Sequence, residues 1–417
     1  MLVVYPSKLN GTIKAPASKA HAQRLLFMSA LADYTTLVKN VPDCDDIDTT
    51  IKCLEQLGCR ITKKADGVQI DPFPRNTPAK SAVFDFRDSS TTARLAIAVS
   101  SALGIRTSCT GSTNLQKRRM LSLTSRMAIR GVRFSNFSLP CTTDGRLEGG
   151  EYVVEGNEGS QNISALLIAL PLLRDDSDIR LSSPLIDPAF VEITIDSLKK
   201  FGIVIEKTEY GYHIPGKQYY HTPKTVKAEN DWGLASMWIT AGAASGSDSY
   251  CVNVTDLPAK SPQGYRDIHS IITLLHYDFE DLNIDASDCP DLATLFAALA
   301  IVKGANMEIK GVPQLKYKET DRIKNIAEIA RTLGQHTRIL PDGIEVEGIG
   351  YPDYEKGRVV DTKGDPWVFM SMVLASVTAT VPFAIRDEHG ADKIYRNFLK
   401  EFKSLGGQYE IISKASE

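Results

Sequence analysis

Leu54-Glu55-Gln56-Leu57-Gly58-Cys59-Arg60-Ile61 reads as the end of an amphipathic helix, a glycine, and the start of a β-type run. Glycine suits that junction, because a helix C-cap often needs the left-handed conformation, which costs glycine nothing. The order returns along the chain. Ser125 to Phe134 reads SRMAIRGVRF, Leu198 to Ile205 LKKFGIVI, Ile329 to Ile339 IARTLGQHTRI and Phe402 to Ile411 FKSLGGQYEI. A sixth, weaker copy, IITLLHYDFE from Ile271 to Glu280, has His276 in the glycine position. From Gly58 through Gly131, Gly202, His276 and Gly334 to Gly406 the steps are 73, 71, 74, 58 and 72 residues, longer than solenoid repeats. Six copies suggest that duplication built the chain.

The segments between the copies are apolar and rich in alanine: 22–31, 92–103, 163–173, 234–243, 292–302 and 367–378. Such helices have no polar face to give to water, so they belong in a core. The expected fold is α/β, with two similar domains of three repeated units each. Buried central helices lie inside and sheets face solvent, an inside-out arrangement.

A chain of 417 residues is long for a single core, which agrees with two domains. Lysine and arginine number 48 against 51 acidic residues, a balance that argues against nucleic-acid or membrane-surface binding, so any basic site must be local. The opening MLVVYPSKLNG lacks the features of a signal peptide, and no run of about 18 apolar residues follows. A cytoplasmic location is expected. The seven cysteines are odd in number and scattered, which indicates neither a disulfide framework nor a metal site.

Several stretches combine hydroxyls or charges with a helix start. In Pro16-Ala17-Ser18-Lys19-Ala20-His21-Ala22-Gln23-Arg24, Ser18 can cap a helix whose first turns carry Lys19 and Arg24. Asp88-Ser89-Ser90-Thr91-Thr92-Ala93-Arg94 and Gly159-Ser160-Gln161 also open apolar helices, and free N–H groups at such ends favour an anion. The Thr110 to Met120 stretch brings Arg118 and Arg119, whose forked guanidinium groups match carboxylate or phosphate. Asp288-Cys289-Pro290-Asp291-Leu292 sets a carboxylate at the head of a buried helix. Lys316-Tyr317-Lys318-Glu319-Thr320-Asp321-Arg322 holds five charged side chains of mixed sign where a loop becomes a helix, with Thr320 or Asp321 as its cap. That knot could hold an anion and move a proton.

These stretches resemble, in order and over nearly the whole chain, the signatures of the enolpyruvyl transferases, above all the EPSP synthase family. The first is similar to P-x-x-K-S-x-S-x-R, the second to N-A-G-T-A-x-R, the third to T-G-x-x-x-L-x-x-R-P-M, and Lys318 to Arg322 to K-E-[TS]-D-R. The resemblance implies transfer of the carboxyvinyl group of phosphoenolpyruvate to the 5-hydroxyl of shikimate 3-phosphate, with release of phosphate. It implies a domain of residues 1–18 plus 230–417, a second of residues 19–229, and an active site in the cleft between them. Lys19, Asp291 and Glu319 would move protons. Shikimate 3-phosphate would meet Lys19, Arg24, Ser160, Gln161, Asp291, Gln314 and Lys318. Phosphoenolpyruvate would meet Ser90, Arg118, Gln161, Arg322 and Lys393. No metal or cofactor is implied, the partners are these two small molecules, and the chain is expected as a monomer.

Departures from the pattern are local. Ser90 stands at a glycine, Gly159 at a serine, Asp187 at a serine, Phe190 at a tyrosine, Arg119 at a proline, Gln314 at an asparagine, and Pro366 and Trp367 at histidine and arginine. A Cβ and hydroxyl at Ser90 would narrow the pocket. Lys363 and Arg119 are the candidates to replace the missing arginine. The departures keep two alternatives in view, a paralogue with another acceptor and a non-catalytic ligand-binding relative. The sister enzyme acting on UDP-N-acetylglucosamine fits less well, since its loop cysteine is Thr113 here.

Overall fold

The computed structural model describes residues 1–74, 79–186, 188–245, 251–265, 268–277, 279, 281–350 and 358–412. The chain divides into two compact units, Met1–Pro16 with Asn230–Glu417, and Ala17–Glu229. Ala17 and Ser18 therefore go with the second unit instead of the first. The backbone explains the offset: Ser18 N–H donates to the Glu229 carbonyl at 2.8 Å, while Asp231 N–H donates to the Pro16 carbonyl at 2.7 Å.

Within Ala17–Glu229, three central helices carry the core: α1 (Lys19–Leu31), α2 (Ser90–Leu103) and α3 (Ser160–Ala169). Every residue of α1 from His21 onward is buried, and α2 is buried from Ser90 to Ala102, as helices without a polar face require. Three four-stranded sheets surround this core on one plan. In one of them Ser81–Asp85 pairs parallel with Arg106–Thr110, which pairs antiparallel with Cys141–Gly145, itself antiparallel to Val132–Phe134. The parallel pair needs a crossover, and α2 supplies it. Ser81–Asp85 and Arg106–Thr110 alternate exposed and buried residues, so one sheet face packs inward and the other meets water.

The other unit repeats the arrangement around α4 (Trp232–Ala244), α5 (Ala293–Lys303) and α6 (Pro366–Ala375). Two of its sheets have the same four-stranded plan, whereas the third has two strands among the described residues, Gly11–Lys14 parallel to Val252–Thr255. This is the unit of the weak sixth copy. The helix Ile268–Tyr277 runs through His276, and the following strand, Asp281–Asp285, pairs parallel with Asn306–Lys310 in the next sheet. Gly58, Gly131, Gly202, Gly334 and Gly406 all take positive φ, between 78° and 103°, directly after their helices. One further expectation shifts. Ile203 to Ile205 is not a strand, because Val204 exchanges backbone hydrogen bonds with the Gln218 side chain, and the strand begins at Glu206.

Each unit has its own apolar cluster, and Leu299 at the centre of α5 is fully buried. Leu299→Ala is expected to cost about 3 kcal/mol, read as a lower urea midpoint. Among the described residues no helix is long and apolar enough to cross a membrane.

Candidate active site

In the unit Asn230–Glu417 the ionisable residues singled out by sequence meet around one side chain. Asp321 caps the helix Arg322–Thr332 by accepting from Lys324 N–H at 3.1 Å, which places Arg322 in its first turn, turned inward and 1% exposed. Three carboxylates receive its guanidinium. Nη1 donates to Asp291 Oδ1 at 2.7 Å, Nη2 to Glu319 Oε2 at 2.7 Å, and Nε to Asp365 Oδ2 at 2.9 Å. Asp365 is fully buried as the cap of α6, accepting from the N–H groups of Trp367 and Val368 and from the Thr320 hydroxyl. Lys318 Nζ lies 3.5 Å from Asp291 Oδ1, and Lys393 Nζ lies 3.9 Å from Glu319 Oε1. Three cations thus face three carboxylates. Burial works against the charge on Asp291, but Lys318 and Arg322 outweigh it and hold its carboxyl below the usual carboxylate range.

The Trp367 ring lies 5.8 Å from the Arg322 guanidinium carbon, within the range of a cation–π contact. Lys363, one candidate to replace the arginine missing at this position, is committed elsewhere, since its ammonium pairs with Glu328 on an exposed surface. Gln314 sits half-buried in the turn Pro313–Tyr317 and makes no side-chain hydrogen bond among the described residues. Asp187 lies outside the described residues.

In the unit Ala17–Glu229 most of the singled-out residues stand in the first turns of the three central helices. Lys19 opens α1 and pairs with Asp46 at 2.7 Å, a carboxylate in the first turn of the helix Asp45–Gln56. Arg24, five residues on, is buried and has no acidic partner at hydrogen-bond distance among the described residues. It donates to Thr194 Oγ1 at 2.7 Å, the Ala20 carbonyl at 2.7 Å and Ser164 Oγ at 2.9 Å, and lies over the Phe190 ring. Burial lowers its pKa to about 10, so it stays charged at neutral pH. Ser90 opens α2 and Ser160 opens α3; the Ser90 hydroxyl donates to Gln161 Oε1 at 2.9 Å. Arg118 is half-buried, in the loop after the short helix Thr113–Gln116.

His21 in α1 is buried between the Glu229 N–H, which donates to Nδ1 at 3.2 Å, and Ser197 Oγ, 3.1 Å from Nε2. Since Nδ1 accepts, Nε2 carries the proton of the neutral ring. Burial, reinforced by Lys200 and Arg24, lowers its pKa to about 3. The folded value lies below the unfolded value of about 6.5, so this contribution to stability is complete above about pH 6.5 and is lost as pH falls toward the folded value. Between pH 7 and pH 5 it should amount to about 2 kcal/mol. His21→Asn should shrink the loss in urea midpoint over that interval, and an unchanged loss would refute the assignment.

The family model described as EPSP synthase (3-phosphoshikimate 1-carboxyvinyltransferase) matches residues 3–402. The chain belongs to the EPSP synthase family. It is 30% identical over 424 residues to the 3-phosphoshikimate 1-carboxyvinyltransferase of Clostridium perfringens (strain 13 / Type A), covering 97% of this chain and 98% of that one. The enzyme of the same name from Methanocorpusculum labreanum is 28% identical over 422 residues, with 97% and 98% covered. The fold is that of the solved EPSP synthase from Acinetobacter baumannii, with a TM-score of 0.78 at 18% identity over 99% of this chain and 100% of that one.

Three residues of this EPSP synthase family member take part in the two clusters without having been singled out for a role by sequence. Asp46 pairs with Lys19, Asp365 holds Arg322, and Arg94 binds Ser90. A signal for Asp46 was present in the acidic run Asp43 to Asp48 at a helix start. Arg94 stands at the arginine of N-A-G-T-A-x-R, a resemblance from which no role was drawn for it.

Proposed function

We infer that this chain transfers the carboxyvinyl group of phosphoenolpyruvate to the 5-hydroxyl of shikimate 3-phosphate and releases phosphate. The observation that carries the reading is the convergence of Lys318, Glu319, Arg322, Lys393 and Asp291 in one cluster, because proton transfer beside an anion needs acids and cations within reach of each other. In the addition step a base takes the hydroxyl proton, the oxygen attacks C2, and an acid protonates C3. A base then removes a proton from C3 as the C2–O bond to phosphate breaks, which restores the double bond and completes the transfer. Lys19, Asp291 and Glu319 are the groups assigned to the proton movements.

Arg118, Arg322, Lys393, Ser90 and Gln161 serve phosphoenolpyruvate, and Arg24, Ser160, Gln161, Gln314, Lys318, Lys19 and Asp291 serve the acceptor. Both units contribute, so the reading makes one reaction draw on residues from each. Arg119 remains as the cation to take the place of the missing arginine. The chain acts as a monomer in the cytoplasm on this reading.

The test mixes purified protein with phosphoenolpyruvate and shikimate 3-phosphate and follows phosphate release. Steady turnover that needs both substrates supports the assignment. Binding of both without release points to a non-catalytic relative, and release only with another hydroxyl acceptor points to a paralogue; either outcome overturns it.

A further inference from the structure

Arg94 is buried on the second turn of α2, and its guanidinium reaches three separate stretches of the unit Ala17–Glu229. Nη1 donates to the Ser90 carbonyl at 3.1 Å and to the Ser90 hydroxyl. Nε donates to Asn162 Oδ1 at 2.9 Å, on the first turn of α3. Nη2 donates to the carbonyl of Arg119, in the loop that carries Arg118. Asn162 cannot turn away, because its amide nitrogen donates to Ser122 Oγ at 2.8 Å and Glu158 Oε2 at 3.2 Å. Burial, with Arg118 adding and Glu158 opposing, lowers the Arg94 pKa to about 9, which still leaves it charged at neutral pH.

The Ser90 hydroxyl has one proton to give. Since it accepts from Arg94, that proton goes to Gln161 Oε1 at 2.9 Å. The amide of Gln161 is thereby oriented, with its oxygen held by Ser90 and its NH2 group directed away as a donor. A side chain fixed in this way offers hydrogens to an oxygen-rich ligand and loses no freedom on binding it. Glycine at position 90 would have no hydroxyl, and the link would not exist.

We propose that Arg94 is a positioning residue that sets Gln161 through Ser90 and holds the Arg118 loop through the Arg119 carbonyl, so that the Gln161 amide and the Arg118 guanidinium, distant in sequence, present donors to one anion. The proposal rests on the reading above for the identity of that anion as phosphoenolpyruvate. Lysine at position 94 keeps the charge, but its three donors radiate from one nitrogen and cannot reproduce the planar fork that spans Ser90, Asn162 and the Arg119 carbonyl.

The experiment is a double-mutant cycle of Arg94→Lys with Gln161→Ala, in which KM for each substrate and kcat are measured. Arg94→Lys should lower kcat/KM for phosphoenolpyruvate on the order of 10- to 100-fold and raise KM for shikimate 3-phosphate by a smaller factor, since Gln161 is assigned to both substrates and Arg118 to phosphoenolpyruvate alone. The double variant should lose several-fold less than the product of the two single losses, because part of the effect of Arg94 passes through Gln161. Losses that multiply fully overturn the proposal. Hydrogen–deuterium exchange of the unliganded protein supplies a second readout: Arg94→Lys should raise exchange over 111–120 and 159–163, and unchanged exchange there overturns it. Ser90→Ala keeps the buried charge and should weaken phosphoenolpyruvate use while leaving 111–120 protected; protection lost there overturns the division of roles. If the wild-type protein releases no phosphate from the two substrates, the functional reading falls, and the exchange measurement still decides the role of Arg94.

Discussion

Arg322→Met is expected to abolish turnover and to destabilise its unit by about 3 to 5 kcal/mol, the usual cost of removing one partner from a buried ion pair. The guanidinium binds Asp291, Glu319 and Asp365 at once, and Asp365 is fully buried. Burial by itself would favour the neutral base, but Asp365, Glu319 and Asp291 outweigh it and raise the Arg322 pKa above its ordinary value. Without that cation Asp291 keeps Lys318 and Glu319 keeps Lys393, while neither lysine lies within ion-pair distance of Asp365 among the described residues. The deserted acids should take up protons on folding, which adds stability at low pH that is lost as pH rises. The variant should therefore be relatively more stable at pH 5 than at pH 7.

Arg322→Lys should rescue little, because one ammonium cannot replace a planar fork aimed at three acceptors. Urea midpoints at both pH values and the phosphate-release assay check these expectations. A methionine variant with the wild-type midpoint and a tenth of its turnover would show that the cluster around Arg322 is incidental.

The parts of this architecture that sequence could reveal are those built from local pattern. Glycine after an amphipathic helix marks five C-caps, since positive φ is a property of a single residue and its neighbours. The sixth copy differs because its helix runs on through His276 to Tyr277, and the strand that follows, Asp281–Asp285, belongs to the next sheet. The alanine-rich segments predicted the central helices for a similar reason, as a helix apolar on every side has one place to go.

Side-chain partners were less legible. Lys19 and Asp46 are 27 residues apart, and Arg322 and Asp365 are 43 apart, separations with no periodic signature. Residue types announced charge in these stretches, but only tertiary packing decides which acid meets which base. Arg94 illustrates the limit: its spacing of four from Ser90 is ordinary on a helix, while its bonds to Asn162 and to the Arg119 carbonyl depend on how α2, α3 and a distant loop pack.

Asp291→Asn is expected to leave the fold intact and to reduce phosphate release by about three to four orders of magnitude. Asp291 stands in the short turn Pro290–Leu292 at the head of α5, where its Oδ1 binds Arg322 and faces Lys318. Asparagine keeps the shape and can still accept one hydrogen bond from Arg322, so packing should hold. It can neither carry the negative charge nor take a proton at neutral pH. The depressed pKa of Asp291 means that the wild-type group is a carboxylate from neutral pH down through the ordinary carboxylate range, so this residue should not by itself impose an acid limb near neutrality on the rate. Equilibrium binding of shikimate 3-phosphate and phosphoenolpyruvate to the variant, measured beside single-turnover phosphate release, separates the two roles. Retained binding with lost release assigns Asp291 to the chemical step, weakened binding with normal single-turnover release assigns it to substrate recognition alone, and wild-type values of both would remove it from the site.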